Sequence, residues 1–365
     1  MPNFSPTEEQ EEIRHLARSI AIEQLRSQGR RSEKNGDISP ELMQTLAQTG
    51  LTTPFPEAYG GSGNIEAVTY GLIAEELGFG DGGLAMNIIS SMMGPLTVAL
   101  AGSESQRQQY ISPFGDEREG SAQRGSFAFA ERTGGYSLAD ISATVRKDGN
   151  NYVLNGTKRD VIHGGHASLR VALFRTEGST GSDGLCAVVL PEHVEGLHIS
   201  SDVQKLGLIA APSASYIFED AVVPASVMLG EPGSDGVKRV AALYAILRAG
   251  IACGMARAAV EYAIDYARGR TAFGRPIASY QGIAFMIAEM AMKLDAVRLF
   301  LWNAAVNWDS NVDSEMLVHD AEAAQYQAVK IAKSATLDAV QVLGGAGYLQ
   351  DHPVEMWARN STAMD

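Results

Sequence analysis

Cysteine is almost missing: two residues, Cys186 and Cys253, occur in a chain of 365. They fit no Cys-x-x-Cys or Cys/His spacing. This excludes a disulfide framework and a cysteine-ligated metal, and leaves two buried, reduced thiols as the expectation. Positive charge is also scarce, with 29 Lys and Arg against 43 Asp and Glu and a net charge of −14. A chain of that sign lacks the electrostatic footprint for nucleic acid or an anionic membrane. No window is expected to be apolar enough to span a bilayer, because Lys238, Arg239 and Arg248 interrupt the best candidate. Where a secretion signal needs a basic start and an apolar run, the chain has Glu8, Glu9, Glu11 and Glu12, so a cytoplasmic location is expected. No repeat or low-complexity segment stands out. Hydrophobic content of 45% with 20% charged residues is ordinary for a globular protein, and the length predicts two or three substructures.

Apolar spacing divides the chain in three. Over residues 1–124 the period is helical. Ser5-Pro6-Thr7-Glu8 reads as a capping box with Pro at the first helical position, and Ile13, Leu16, Ala17 and Ile20 follow at helical spacing. Ser39-Pro40-Glu41 opens a second helix that stops at Gly50. Val68, Leu72 and Leu77 mark another, and Leu84, Ile88, Met92, Leu96 and Leu100 form an i,i+4 stripe. Over 125–224 short alternating or apolar runs are separated by turn formers such as Asp148-Gly-Asn-Asn151 and Gly164-Gly165, which predicts an antiparallel sheet or small barrel. Over 225–365 long helical patterns return, the last running from Ala328 to Leu343. The fold class is α+β: an N-terminal helical domain, a middle antiparallel β-domain and a C-terminal helical bundle.

Between two of the long helices lies Arg270-Thr-Ala-Phe273-Gly274-Arg275-Pro276-Ile277, with Gln281 just beyond. A guanidinium fork suits phosphate oxygens, and the ring beside it offers an apolar face to a base or sugar. Alone, the segment reads as an αα-hairpin with an exposed charge. Other landmarks surround it: Pro56-Glu-Ala-Tyr-Gly-Gly61, Glu75-Glu76-Leu77, Gly102-Ser-Glu-Ser-Gln106, Tyr152-Val-Leu-Asn-Gly-Thr-Lys158, Lys205-Leu-Gly207, Phe218-Glu-Asp220 and Gln341-Val-Leu-Gly-Gly-Ala-Gly-Tyr348. In this order they resemble the acyl-CoA dehydrogenase family over essentially the whole chain.

That resemblance implies an FAD enzyme oxidising an acyl thioester of CoA or of a carrier protein to its α,β-enoyl form. A carboxylate removes the α-proton, hydride passes to the flavin, and a separate acceptor takes the electrons. It implies a homodimer, a homotetramer, or a heterotetramer with a homologous subunit, with FAD between subunits. Arg270 and Phe273 would hold the adenosine diphosphate part, and Ile277 and Gln281 would line the same site. Gln341 and Gly345 would reach the FAD of the neighbour. Arg248 matches an arginine at the acyl pocket, and Tyr244 an aromatic position near the pantetheine.

The departures from the family pattern lie around the flavin ring and the base. Ala130 stands where a Thr hydroxyl would face the flavin, and Tyr136 replaces a small Ser. Asp160 replaces the Trp that covers the ring, and Ile162 the Thr that hydrogen-bonds to it; Ala272 replaces a commonly polar residue. The usual base would fall at position 368, and a second family location, just before Arg248, holds Leu247. No catalytic carboxylate is assigned. The expectation is that the polypeptide either continues past Asp365, through a final helix, or lacks the standard machinery. Asp160, His163 and His166 could bind a metal or move protons, but the Gly164-Gly165 turn favours a flexible, exposed loop, and no metal is expected. Glu131 reads as half of a structural ion pair. Glu355 and Arg359 read as an i,i+4 surface or interface pair. Arg248, on an apolar helix, is either a pocket residue or half of a buried ion pair. Three readings follow: a dehydrogenase with a displaced base, a non-catalytic subunit completing a partner's site, or a flavin-independent reaction on the same fold.

Overall fold

The computed structural model describes residues 5–63, 65–116, 119–131, 137–200 and 204–365. Its first helix, α1 (Glu8–Ile20), runs through a π turn at Ala21–Leu25 into α2 (Arg26–Asn35). Thr7, not Ser5, caps it: Thr7 accepts from the Gln10 N–H, and the Gln10 side chain accepts from the Thr7 N–H at 3.0 Å. Tertiary structure selects this box, because the Gln10 amide also donates to Thr69. Next, α3 (Pro40–Gln48) starts at Ser39 as its sequence predicts. The almost wholly buried helices α4 (Ala67–Gly80) and α5 (Gly82–Ala101) are separated only by Asp81, and α6 (Glu104–Tyr110) follows the Ser103/Gln106 capping box.

Eight strands come next: β1 (Gly125–Ala128), β2 (Thr144–Asp148), β3 (Asn151–Ile162), β4 (Leu169–Thr176), β5 (Leu185–Leu190), β6 (Leu197–Ser200), β7 (Ser213–Pro224) and β8 (Met228–Leu229). Their order is β6-β7-β3-β2-β4-β5-β8, with β1 on β4. The sheet is mixed, not purely antiparallel as the strand pattern led one to expect. β2 and β4 follow one another through the reversed strand β3, so they run the same way, and because they lie side by side they pair parallel, as does β1 with β4. β6 escapes sequence reading because most of it is exposed and carries no alternation.

The last segment contains α7 (Asp235–Gly269), a two-stranded ribbon of β9 (Thr271–Ala272) and β10 (Arg275–Pro276), then α8 (Gln281–Asp309), α9 (Ser314–Leu343) and α10 (Val354–Thr362). α7 is the central axle. Its Gly254 lies so close to α4 that a Cβ there would sit 2.1 Å from the Glu75 carbonyl oxygen. α5 and α7 are both long and apolar enough to cross a membrane, which corrects the expectation that no segment would be; most of each is buried inside the protein as core helix. Lys238, one of the charges that should have interrupted such a run, reaches Glu315 at 2.6 Å. Cys186 and Cys253 are buried and unbridged, as expected.

Four helices meet on two buried carboxylates. Glu76 takes Arg257 at 2.5 Å and Arg18 at 3.1 Å, while Glu75 takes Arg298 at 2.7 Å and Arg257 at 3.1 Å. Burial alone would raise the Glu76 carboxyl, but Arg257 and Arg18 overcome it and hold it below the usual range.

Asp81 is buried and makes no ion pair among the described residues. One oxygen caps α5 by accepting from the Leu84 N–H at 2.8 Å, and the other has no hydrogen-bond partner among the described residues. Burial, opposed by the cap bonds, pushes its carboxyl up to about 6. A raised carboxyl stabilises the fold fully below the unfolded value near 4 and loses that contribution as pH rises through 6. Replacing it with Asn keeps the capping oxygen and removes the buried charge. Asp81→Asn is therefore expected to gain about 3 kcal/mol over the wild type at pH 7, and nothing at pH 3.5, in urea denaturation at the two pH values.

Candidate active site

α7 ends at Gly269, and Arg270 leaves it in an extended conformation. The Arg270–Ile277 segment is not a plain αα-hairpin. β9 and β10 pair Ala272 with Arg275, and the two residues between them, Phe273 (φ 51°) and Gly274 (φ 82°), are both left-handed. Two successive positive φ values make the tight hairpin turn for which Gly is suited and an aromatic residue is not. Phe273 is 97% exposed, and Arg270 and Gln281 are exposed too. Ile277, half-buried, closes the segment by donating its N–H to the Arg270 carbonyl at 2.8 Å. The Tyr280 hydroxyl donates to the Ala272 carbonyl at 3.0 Å, and the Arg275 guanidinium lies over the Tyr280 ring. Gln341, in the last turn of α9, and Gly345 just beyond it also face outward.

Tyr244 and Arg248 are buried one turn apart on α7. Arg248 donates to the Met364 carbonyl at 2.7 Å, and its guanidinium lies 5.6 Å from the Tyr244 ring centre. The Phe127 ring packs edge-on against Tyr244 at 5.5 Å and stacks with Phe129. The β-sheet thus lends two aromatic rings to the α7 wall. Leu247 is fully buried, so α7 supplies an alkyl group at the position before Arg248.

A cleft of about 480 Å³ opens between β3, the 205–207 loop, α9 and α10. Leu337, Ala358 and Ala363 give it apolar walls, and Asp160, Lys205, Arg359 and Thr362 its polar groups. The Arg359 guanidinium is already engaged by Glu355 at 2.9 Å, by Glu33 and by the Leu206 carbonyl at 2.7 Å. The Glu355–Arg359 pair therefore exists as expected, but it clamps α10 to α2 and to the loop. On β3, two residues before Asp160, Lys158 is wholly buried and reaches Glu131 at 2.7 Å and the Phe129 carbonyl at 3.3 Å. Burial pushes the Lys158 ammonium down to about 8, opposed by Glu131, and Glu131 in turn accepts from the Ala143 N–H. This is the structural ion pair read from Glu131.

The expected exposed histidine loop is corrected in part. His163 is fully buried, with Nε2 2.9 Å from the Asn87 carbonyl and Nδ1 3.2 Å from the exposed His166. Burial pushes His163 down to about 4, so it is neutral at pH 7 and donates through Nε2. The Gly164 carbonyl accepts from the Tyr216 hydroxyl, which pins the turn. Among the described residues no three metal-ligating side chains converge. Ala130 and Ile162 are buried apolar residues, while Tyr136 lies outside the described residues. Phe127, Leu337 and Met364, which border these groups, do not stand out in the sequence; their apolar character carries no signal beyond core packing.

Three family models cover nearly all of the chain: the N-terminal domain of acyl-CoA dehydrogenase over residues 7–117, its middle domain over 126–221 and its C-terminal domain over 234–365. An acyl-CoA dehydrogenase of Bacillus subtilis is 32% identical over 362 residues, spanning 97% of this chain and 93% of that protein. The mitochondrial short-chain specific acyl-CoA dehydrogenase of Rattus norvegicus is 32% identical over 358 residues, covering 96% of this chain and 84% of that one. The solved structure of butyryl-CoA dehydrogenase from Megasphaera elsdenii matches with a TM-score of 0.85 at 28% identity, over 100% of this chain and 95% of that one. The chain belongs to the acyl-CoA dehydrogenase family.

The bond from Arg248 to Met364 ties the end of α10 to α7 through a charge-assisted hydrogen bond, worth roughly 1.5–3 kcal/mol. Arg248→Met is expected to lower stability by about that amount and to speed amide exchange at residues 358–364 while α4 stays protected. Hydrogen-exchange mass spectrometry reads the difference.

Proposed function

We propose that this chain is an FAD-dependent dehydrogenase that converts a saturated acyl thioester of CoA, or of a carrier protein, to the α,β-unsaturated thioester. The observation that carries the reading is the Arg270–Phe273 turn. It holds Phe273, 97% exposed, on a left-handed residue, with Arg270 exposed three positions earlier, between two long helices. An adenosine diphosphate fits: the guanidinium takes phosphate oxygens, and the ring takes the base or sugar. The other end of the dinucleotide fits the 480 Å³ cleft, whose apolar walls and polar groups suit a flat heteroaromatic ring. Bound there, FAD would supply the hydride acceptor.

The chain's own residues have distinct tasks. Arg270 and Phe273 hold the adenosine end, with Ile277 and Gln281 lining it. Gln341 and Gly345 reach across to the dinucleotide of an adjacent subunit. Phe285, Met292 and Leu299, exposed at seven-residue spacing along α8, support such an assembly, either with a second copy of the chain or with a homologous subunit. Tyr244, Phe127 and Phe129 give the thioester end an aromatic wall, and Arg248 stiffens that wall from behind. A separate electron-transfer partner re-oxidises the flavin.

Purified protein is expected to carry, or take up, FAD with a visible flavin band that bleaches on anaerobic addition of butyryl-CoA. Arg270→Ala is expected to weaken FAD binding by roughly 10- to 100-fold, the value of one charge-assisted hydrogen bond. A protein that binds no FAD, or equal affinity in the wild type and Arg270→Ala, would contradict the proposal.

A further inference from the structure

The ring cleft carries a pair of opposite charges that the dehydrogenase reading does not use. Asp160 lies near the end of β3, where the pairing with β7 slips between Lys158 and Val161. It adopts φ 50°, a left-handed conformation that Asp tolerates better than most residues. A bulge of this kind re-aims a side chain out of the strand's alternation, and Asp160 lines the cleft. Across the same space stands Lys205, whose ammonium is anchored by one bond to the Ala211 carbonyl at 2.5 Å. Burial pushes Lys205 down to about 8, and the charge of Asp160 opposes that shift, so the two side chains sense one another. The third charged lining group, Arg359, is taken up by Glu33, Glu355 and the Leu206 carbonyl. A strong acceptor and a strong donor therefore remain to meet a ligand, set among Leu206, Leu337, Ala358 and Ala363.

A carboxylate and an ammonium flanking an apolar slot select a flat, uncharged ring with an N–H and a carbonyl side by side on one edge. A flavin carries such an edge: the imide N3–H of its pyrimidine ring lies between two carbonyl groups. We infer that Asp160 and Lys205 are positioning residues that grip this imide edge, the carboxylate accepting from N3–H and the ammonium donating to the adjacent carbonyl. The inference rests on the FAD reading above. It makes the ring end of this site a polar clamp, where the family pattern has an aromatic cover.

Methylation of the flavin N3 removes the donor and leaves the ring flat, so it isolates the clamp. In fluorescence titrations of the full chain, the wild type is expected to bind FAD roughly tenfold more tightly than 3-methyl-FAD. Asp160→Leu should reduce that preference to about twofold or less, while Asp160→Asn, which keeps an acceptor, should retain more of it. The affinity for ADP, which reports the Arg270 end alone, should be the same in all three proteins and show that each is folded. Equal affinity of the wild type for FAD and 3-methyl-FAD, or an undiminished preference in Asp160→Leu, would overturn the inference and leave the dehydrogenase reading intact. Failure of both FAD and ADP to bind the wild type would overturn that reading, and the clamp with it.

Discussion

Two adjacent buried carboxylates, Glu75 and Glu76, hold the helical framework together. Their charges would be prohibitive at that depth without partners, and Arg18 of α1, Arg257 of α7 and Arg298 of α8 supply them. Each arginine comes from a different helix, so the network works only when α1, α7 and α8 all stand in register with α4. Phe79, one turn along α4, extends the arrangement by taking the Arg18 and Arg257 guanidinium groups over its ring. Removing a single carboxylate would take a partner from two arginines at once, with Arg257 left to the other glutamate.

The site inherits its geometry from that junction. α7 passes the carboxylates at Gly254 and Arg257, with Tyr244 and Arg248 on one side and the Arg270 turn on the other. Glycine at 254 lets α7 lie against the α4 backbone, which leaves little freedom for rotation about its own axis. Tyr244, Arg248 and the start of the Arg270 turn are therefore stretches of one rigid rod. The 480 Å³ cleft is assembled differently. Its walls come from β3, a loop, α9 and α10, and the Arg359 clamp to Glu33 and Glu355 draws α10 into place.

Much of this was legible in the residues. Helical spacing marked the framework because the core faces of α4 and α5 are nearly unbroken apolar surface, and the landmark segments carried the family. The failures have local causes. The first cap moved from Ser5 to Thr7 because Gln10 has a tertiary partner in Thr69. The parallel pairs of the sheet arise from strand order, which alternation does not encode. α7 is long and apolar enough to cross a membrane although it carries Arg248, which a backbone carbonyl and an aromatic ring satisfy inside the protein, so a charge in the sequence did not mean a surface in the fold; α5 carries no charge at all. His163 looked like a loop residue because its anchor, the Asn87 carbonyl, lies 76 positions away.

The central claim is that one dinucleotide spans the Arg270 turn and the ring cleft, with the adenosine end as its main anchor. Equilibrium dialysis of the native protein against equal concentrations of FAD and FMN tests it directly. Both ligands carry the same ring, and only FAD carries the adenosine part that Arg270 and Phe273 would hold. The account predicts that FAD is retained at one per chain and FMN is lost. Equal retention of FAD and FMN, or retention of neither, would contradict it.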